Sequence, residues 1–533
     1  MARRISSRLL ITGKLIARTP LHVGGTGGNV DTDLALAING KGEYYIPGTS
    51  LAGPLRAWLE NDQQESINDW WGYQVADQGQ ASHVFIEDGF VIAPEGKQIK
   101  AEIRDGVGID RVTGAAANQI KYDRAVLPRG TRVGFTMTVE LPADTIEQSQ
   151  QKLRDKIRVQ TSAVLQGLQS GEIRFGAAKT RGMGRIEVHN LEVREQGFLT
   201  RKDMLKTLRD ESDQPEAAVA PTTAPQPRLT VRIKWQPRGP LMVKAEGDGI
   251  AVDMLPLVSA IDEQLTFVLP GSSIKGAFRS QAERIVRTVL GLSAPKPVAD
   301  KQDFIDQVEL HGTRQNGSED RKNDASLIGW LFGIAGRNEE EEKEEDQRTV
   351  LPGLGALMVD DCYAECRIEE QEWGAVEQAT NERELRGALD AAQLSQAQQA
   401  FHVAIDRWLG SAADGFLYTV LEPHGIVWEE INLTLDLSRI PQDQEKLRSC
   451  AVMCLLLVLR DFASGRIPIG FGTNRGMGAV DVTGITIIPR GLDGILTQLQ
   501  QIRIESGRLA GLSDDLRASL NRAWAQWTEE NAL

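Results

Sequence analysis

Cysteine is scarce, with four in 533 residues. Cys362 and Cys366, and far downstream Cys450 and Cys454, form two C-x3-C pairs. That is too few to staple so long a chain, fits a reducing compartment, and places the protein in the cytoplasm. A zinc site shared by the pairs would need thiolates, but Cys454 lies in an apolar helical run, so the pairs are read as buried thiols. Histidine is also rare, six in all and none clustered in sequence, which disfavours a histidine-centred acid–base site. No apolar run reaches transmembrane length, and the opening MARRISSRLLITGKLIA alternates like a strand rather than a secretory leader. No membrane partner is expected. A basic excess is missing too. The net charge of −14 counts against a polyanionic partner at first sight. Its distribution softens that objection: residues 1–200 carry 24 Lys and Arg against 23 Asp and Glu, so the acid excess lies beyond them. Much of it sits in Glu339–Asp346 (EEEEKEED), a composition typical of a solvated loop.

What is present is a stretch used twice. Ile46–Arg56 reads IPGTSLAGPLR and Leu269–Arg279 reads LPGSSIKGAFR. Pro-Gly makes a turn, and Thr49, Ser50, Ser272 and Ser273 are N-cap types that start a helix. Gly48 and Gly271 open it, and Gly53 and Gly276 leave room inside the first turns for another backbone or a ligand. A glycine-rich turn feeding a helix N-terminus presents N–H groups and a positive dipole end, a cradle for phosphate. Lys275 and Arg279 follow at i, i+4, and Arg56 matches Arg279. The same residues also suit a strand–turn–helix junction that binds nothing.

Around this stretch a whole unit repeats. Residues 7–17 alternate as a strand, a glycine-rich acidic loop spans Leu21–Gly42, and the motif helix runs to about Asn61. Strands follow at 83–92 and 131–141, then an amphipathic helix Gln150–Gln169, then a glycine-rich loop into a last strand over Phe175–Val193. Strand, helix, strand, strand, helix, strand is the order of a ferredoxin-like fold. The landmarks recur in order from residue 228: RLTVRIKWQ, AEGDGIAVDMLPLVSA, the motif, GALMVDDCYAECRI, VAIDRWLGSAADGFLYTVLEPHG and FGTNRGMGAVDV. The chain therefore predicts an α+β protein with domains at 1–200 and 228–490. A Pro/Ala-rich linker spans 201–227, and an insertion at about 296–352 lengthens the second domain. C-terminal helices occupy 491–533, read as two amphipathic segments.

These landmarks resemble the RAMP superfamily of CRISPR systems, and within it the backbone subunits of type III effector complexes. The residues that carry the resemblance are Leu21-His22-Val23-Gly24-Gly25, Val30-Asp31, Ile46–Leu51, Ile109-Asp110-Arg111 with Gly114, Phe175-Gly176 and Arg181-Gly182-Met183-Gly184. In the second half they are Val252-Asp253, Leu269–Gly276, Ile405-Asp406-Arg407, Phe471-Gly472 and Arg475–Gly478. A tandem fusion of two such units is most similar to the type III-D variants built from fused subunits.

The resemblance implies RRM-like cores packed along a guide RNA, each with a β-hairpin thumb that wedges into the guide–target duplex. Ile109, Asp110 and Arg111, and Ile405, Asp406 and Arg407, fall where the family carries that thumb. It further implies a loop aspartate that cuts target RNA with a divalent cation, magnesium or manganese. The positions are Asp31 or Asp33 in the first unit and Asp253 in the second, with Asp31 and Asp253 as metal ligands. In the family the aspartate precedes a small residue and proline; here Thr32 and Asp33 follow Asp31, so the choice between the two stays open. Gly48, Thr49, Ser50, Arg56, Lys179, Arg181, Gly271, Ser272, Ser273, Lys275, Arg279, Asn474 and Arg475 are the implied RNA-binding residues. Implied partners are guide (crRNA) and target RNA and other type III effector subunits. His22 is a weaker candidate base, since a histidine closing a strand is more often structural. A purely architectural guide-binding subunit, a nuclease that processes precursor guide RNA and an unrelated phosphate-ligand enzyme are the rival readings.

Overall fold

A computed structural model describes residues 4–25, 32–62, 67–93, 99–143, 148–211, 226–309, 327–334, 353–441, 445–492, 494–505 and 508–532. Asp31 and the acidic run at 339–346 lie outside them. Two compact units emerge: Met1–Arg104, Asp123–Lys179 and Met183–Pro225 form unit 1, and Asp105–Tyr122, Thr180–Gly182 and Gln226–Leu533 form unit 2. The division cuts across the expected domains because the distal part of a hairpin from the first half is bonded to residues of the second, as described below.

In unit 1, β1 (Ile5–Ala17) buries Leu9, Ile11 and Leu15 on one face, as its period-2 alternation requires. After β2 (Tyr45–Ile46) comes α1 (Gly48–Asp62), whose Leu51, Leu55 and Leu59, one turn apart, are fully buried. The short strands β3 (Val84–Ile86) and β4 (Gly89–Ile92) precede a long hairpin of β5 (Glu102–Ile109) and β6 (Ala116–Val126). Then follow β7 (Arg132–Pro142), α2 (Gln148–Gln169) and β8 (Ile186–Gly197). The sheet runs β8–β1–β7, with β3 and β4 both paired to β7, the antiparallel order of a ferredoxin-like fold.

Residues 201–208, assigned to the linker on composition, are instead helix α3 (Arg201–Leu208). Thr200 and Asp203 close a capping box that satisfies its first donors.

Unit 2 repeats the plan: β9 (Arg228–Pro237), α4 (Gly271–Leu290), α5 (Lys301–Glu309), β10 (Leu357–Val359), the hairpin β11 (Gln398–Ile405) and β12 (Ala412–Glu422), β13 (Ile431–Asp436), α6 (Glu445–Ala463) and β14 (Val480–Arg490). Its sheet order, β10–β13–β9–β14, is the same antiparallel arrangement. The tail is helical as expected, but its first helix is shorter and of another type. Gly494–Gln501 is a 3-10 helix, 503–505 and 508–510 pair as a small hairpin, and Asp514–Asn531 is α-helical (α7). Ser506-Gly507, a turn dipeptide, interrupts the run that periodicity reads as helix. Among the described residues no helix is long and apolar enough to cross a membrane.

Candidate nucleic-acid interface

The acidic loop of each unit is tied to the second strand of its hairpin. In unit 1 the Asp33 N–H donates to Asp123 Oδ1 (2.6 Å) and the Asp123 N–H to Asp33 Oδ2 (3.0 Å). In unit 2 the Asp253 N–H donates to Thr419 Oγ1 (3.0 Å), and the Thr419 N–H and hydroxyl donate to Asp253 Oδ2 (2.7 and 2.9 Å). Both aspartates are exposed.

The backbone settles which residues correspond. Ala37 N–H donates to Val23 O as Leu257 N–H does to Val243 O, and Leu34 bridges Arg124 as Met254 bridges Val420. Asp33, not Asp31, is therefore the counterpart of Asp253, two residues from where the shared Val-Asp dipeptide places it. The other glycine loop shifts likewise. Phe175 N–H donates to Gly184 O as Ile469 N–H does to Gly478 O, so Phe175-Gly176 matches Ile469-Gly470 rather than Phe471-Gly472. Lys179 then aligns with Thr473, and Arg181 with Arg475 without a gap.

Tyrosines that sequence reasoning missed stand beside these loops. In unit 2 Arg475 Nη1 donates to the Tyr418 hydroxyl, and its guanidinium lies 5.5 Å from the centre of that ring. Tyr418 precedes Thr419 in β12, so the arginine–tyrosine pair and the aspartate–threonine pair are held by neighbouring residues of one strand. The counterpart pair is Arg181 Nη1 to the Tyr122 hydroxyl (2.9 Å). The alternation of each hairpin strand toward its Asp or Thr was the only signal available for these tyrosines. Asn474 is exposed beside Arg475. Lys179 is half-buried, and its carbonyl accepts from Arg174.

The helix starts are organised differently from expectation. α4 begins at Gly271 behind Pro270, with Ser272 and Ser273 inside the first turn and no side-chain cap. The Gly271 N–H donates to Asp361 Oδ1, and Gly48 N–H to Asp88 Oδ1, both at 2.7 Å. The leading orphan donor thus meets a carboxylate of the protein itself. Glycine is required there because a Cβ would lie 2.2 Å from Val359 O or Ile86 O. At Gly53 and Gly276 a Cβ would meet nothing within 4 Å. Thr49 and Ser272 are exposed, and Ser50 and Ser273 half-buried.

Arg56 and Arg279 are clamps. Arg56 bonds Glu60 Oε1, Gly72 O and Asn68 Oδ1, each at 2.9 Å. Arg279 bonds Glu283 Oε1 (2.8 Å), Gly333 O (3.0 Å) and Val308 O (2.7 Å). Lys275 is buried, with no described atom accepting from its ammonium. Burial, reinforced by Arg279, Arg181 and Arg439, pushes its pKa well below the usual lysine range. Its counterpart in the first copy is Ala52.

Both hairpins turn through the same Asp-Arg. Asp110 N–H donates to Ala115 O and Gly114 N–H to Asp110 O; Asp406, Ser411 and Gly410 repeat this pair. Within unit 2, Arg111 Nε bonds Glu283 Oε2 (2.7 Å) and Gln307 Nε2 donates to Asp110 Oδ1 (2.7 Å). Ile109, Ile405 and Arg407 are exposed.

His22 is buried, bonded through Nδ1 to Ala125 O (2.7 Å), and its pKa is lowered chiefly by burial, so it serves as a neutral structural contact. His402 and His424 do cluster, 3.6 and 3.5 Å from Glu422, a proximity that strand pairing creates across 22 residues of sequence. Burial pushes the Cys450 and Cys454 thiols up to about 12, and Cys450 Sγ donates to Ala523 O, which fits buried thiols.

A sequence model of the RAMP superfamily matches residues 14–187 and 257–481. Among curated proteins the chain is similar to the CRISPR system Cms endoribonuclease Csm3 of Methanothermobacter thermautotrophicus, 25% identical over 232 residues, which covers 36% of this chain and 88% of the relative.

Proposed function

Since this chain belongs to the RAMP superfamily through both of its halves, we propose that it is a backbone subunit of a type III CRISPR ribonucleoprotein. In this reading it binds guide RNA in the cytoplasm, beside other effector subunits, and cuts complementary target RNA. The observation that carries the reading is the repeated carboxylate at a hairpin base, Asp33 on Asp123 and Asp253 on Thr419. The similar archaeal protein is named an endoribonuclease.

Cleavage by a 2′-hydroxyl needs a proton removed and negative charge balanced at the phosphate. Asp253, exposed and oriented by the Thr419 N–H, suits the proton. Arg475, steadied on Tyr418, suits the phosphate. Buried Lys275, with Arg181 and Arg439 near it and no described carboxylate bonded to it, suits a guide phosphate. A divalent cation, magnesium or manganese, favours hard carboxylate oxygens. The donors fit best in unit 1, where Asp33 and Asp123 bring two carboxylates together; in unit 2 Thr419 replaces the second. When bound, such an ion supplies charge neutralisation at the phosphate.

One observation favours a second, architectural reading: each loop carboxylate already accepts hydrogen bonds that fix the loop to the hairpin. Asparagine separates the two, because its carbonyl still accepts those bonds but lacks the charge. In the assembled complex with labelled target RNA, Asp33→Asn should erase one product band and Asp253→Asn another, and EDTA should erase both. Bands that survive in the double variant, with the complex intact, make the subunit a scaffold.

A further inference from the structure

The two arginine–tyrosine pairs rest on different ground. Val107–Arg111 (VGIDR) aligns with Val403–Arg407 (VAIDR), so Gly106 in β5 is the counterpart of His402 in β11, and Tyr122 of Tyr418. His402 and Tyr418 are direct partners across the second hairpin. Their rings stack, with centres 5.3 Å apart and planes 12° from parallel. In the first hairpin the tyrosine lies on bare backbone. A Cβ at Gly106 would fall 2.2 Å from Tyr122 Cζ and 2.6 Å from its hydroxyl oxygen, so the ring leaves no room for even a methyl group.

Each tyrosine offers its hydroxyl to the arginine of a glycine-rich loop, Tyr122 to Arg181 and Tyr418 to Arg475. Whatever lies under the ring therefore decides where the guanidinium stands. Under Tyr418 that support is a half-buried imidazole whose Nε2 is 3.6 Å from Glu422 Oε1. The Tyr418 ring also packs on the small apolar cluster of Met242, Val420 and Met477. Stripping the imidazole would remove one of its supports and open a gap into which the ring can tilt, taking its hydroxyl away from Arg475.

We propose that His402 is a positioning residue: its ring props the Tyr418–Arg475 pair at the height from which Arg475 meets an RNA phosphate, and Gly106 sets the lower stand of the Tyr122–Arg181 pair. One position on the first strand of each hairpin thus tunes a contact made by a distant loop. The inference rests on the reading of Arg475 and Arg181 as phosphate contacts and goes beyond it in naming what holds them in place.

Salt titrations of single-stranded RNA binding by the full-length chain test this, with thermal unfolding to check that each variant folds. Arg475→Ala sets the reference, a salt slope flatter by roughly 0.7. His402→Ala should flatten the slope as far, and His402→Phe, which keeps a flat ring under Tyr418, should restore it. Adding His402→Ala to Arg475→Ala should change nothing further, because the prop acts only through the arginine. The first hairpin tests the same rule independently. Gly106→Ala pushes a methyl group into the tip of the Tyr122 ring, so it should flatten the slope too, and lose that effect when Arg181→Ala is already present. If Arg475→Ala flattens the slope and His402→Ala does not, the inference alone fails. If Arg475→Ala leaves the slope unchanged, the phosphate reading fails and the inference with it. Additive losses in the double variant, or a folded His402→Phe as weak as His402→Ala, also overturn it and assign the imidazole itself to RNA.

Discussion

Lys275 has no counterpart cation in the first copy, which holds Ala52 at this position. Among the described residues, its surroundings bring the positive charges of Arg279, Arg181 and Arg439 to its ammonium. Burial disfavours the charged form, so its folded pKa lies below the unfolded value near 10.5. The unfolded chain therefore binds more protons at this site, and stability rises as pH climbs toward that value. Lys275→Met should stabilise the free protein at about pH 7 by about 1–4 kcal/mol. The advantage should shrink at about pH 9.5 in thermal unfolding. The same variant should bind guide RNA more weakly. A lysine kept only for packing would show the stability change without the loss of binding.

At the scale of the element, the hairpin tip over 105–122 is held by a carboxylate with an unusual pKa. Asp110 is lowered from 3.8 to about 2, first by the Gln307 amide and then by the Val112 N–H. A depressed folded pKa contributes stability in full above about pH 4, and that contribution is lost as pH falls toward 2. Hydrogen exchange at the tip amides should stay slow down to about pH 4 and quicken below it. Asp110→Asn should remove that pH dependence while leaving the rest of unit 2 protected. The Ile-Asp-Arg of this turn was legible in the sequence, as were most strands and both motif helices, because period-2 and period-3.6 patterns are local. Its partners Glu283 and Gln307 were not, since nothing local marks an exposed-looking glutamate as the receptor for a distant arginine. Short identities also misled. Val-Asp and Phe-Gly recur in both halves, yet backbone pairing moves each match by two residues. A dipeptide specifies less than a register that buries one face.

For the whole molecule, a net charge of −14 and a polyanionic partner are compatible only if a few cations do the contacting. The four arginines that flank the glycine-rich turns look alike in sequence and separate in the structure. Arg56 and Arg279 spend their guanidinium groups on three internal acceptors each. Among the described residues Arg181 and Arg475 each bond one tyrosine hydroxyl, and both are exposed. Removing a clamp leaves buried carbonyls and a carboxylate without their donor, so Arg279→Ala should lower unfolding stability by about 3 kcal/mol. The slope of log binding constant against log salt should stay as in wild type. Removing an exposed arginine strands nothing, so Arg475→Ala should leave the unfolding temperature in place. It should release about one fewer counterion, flattening the salt slope for single-stranded RNA by roughly 0.7. Titrations of the assembled subunit at several salt concentrations, run beside thermal unfolding, give both quantities for both variants. If Arg279→Ala flattens the slope and Arg475→Ala does not, the division between clamp and contact is reversed.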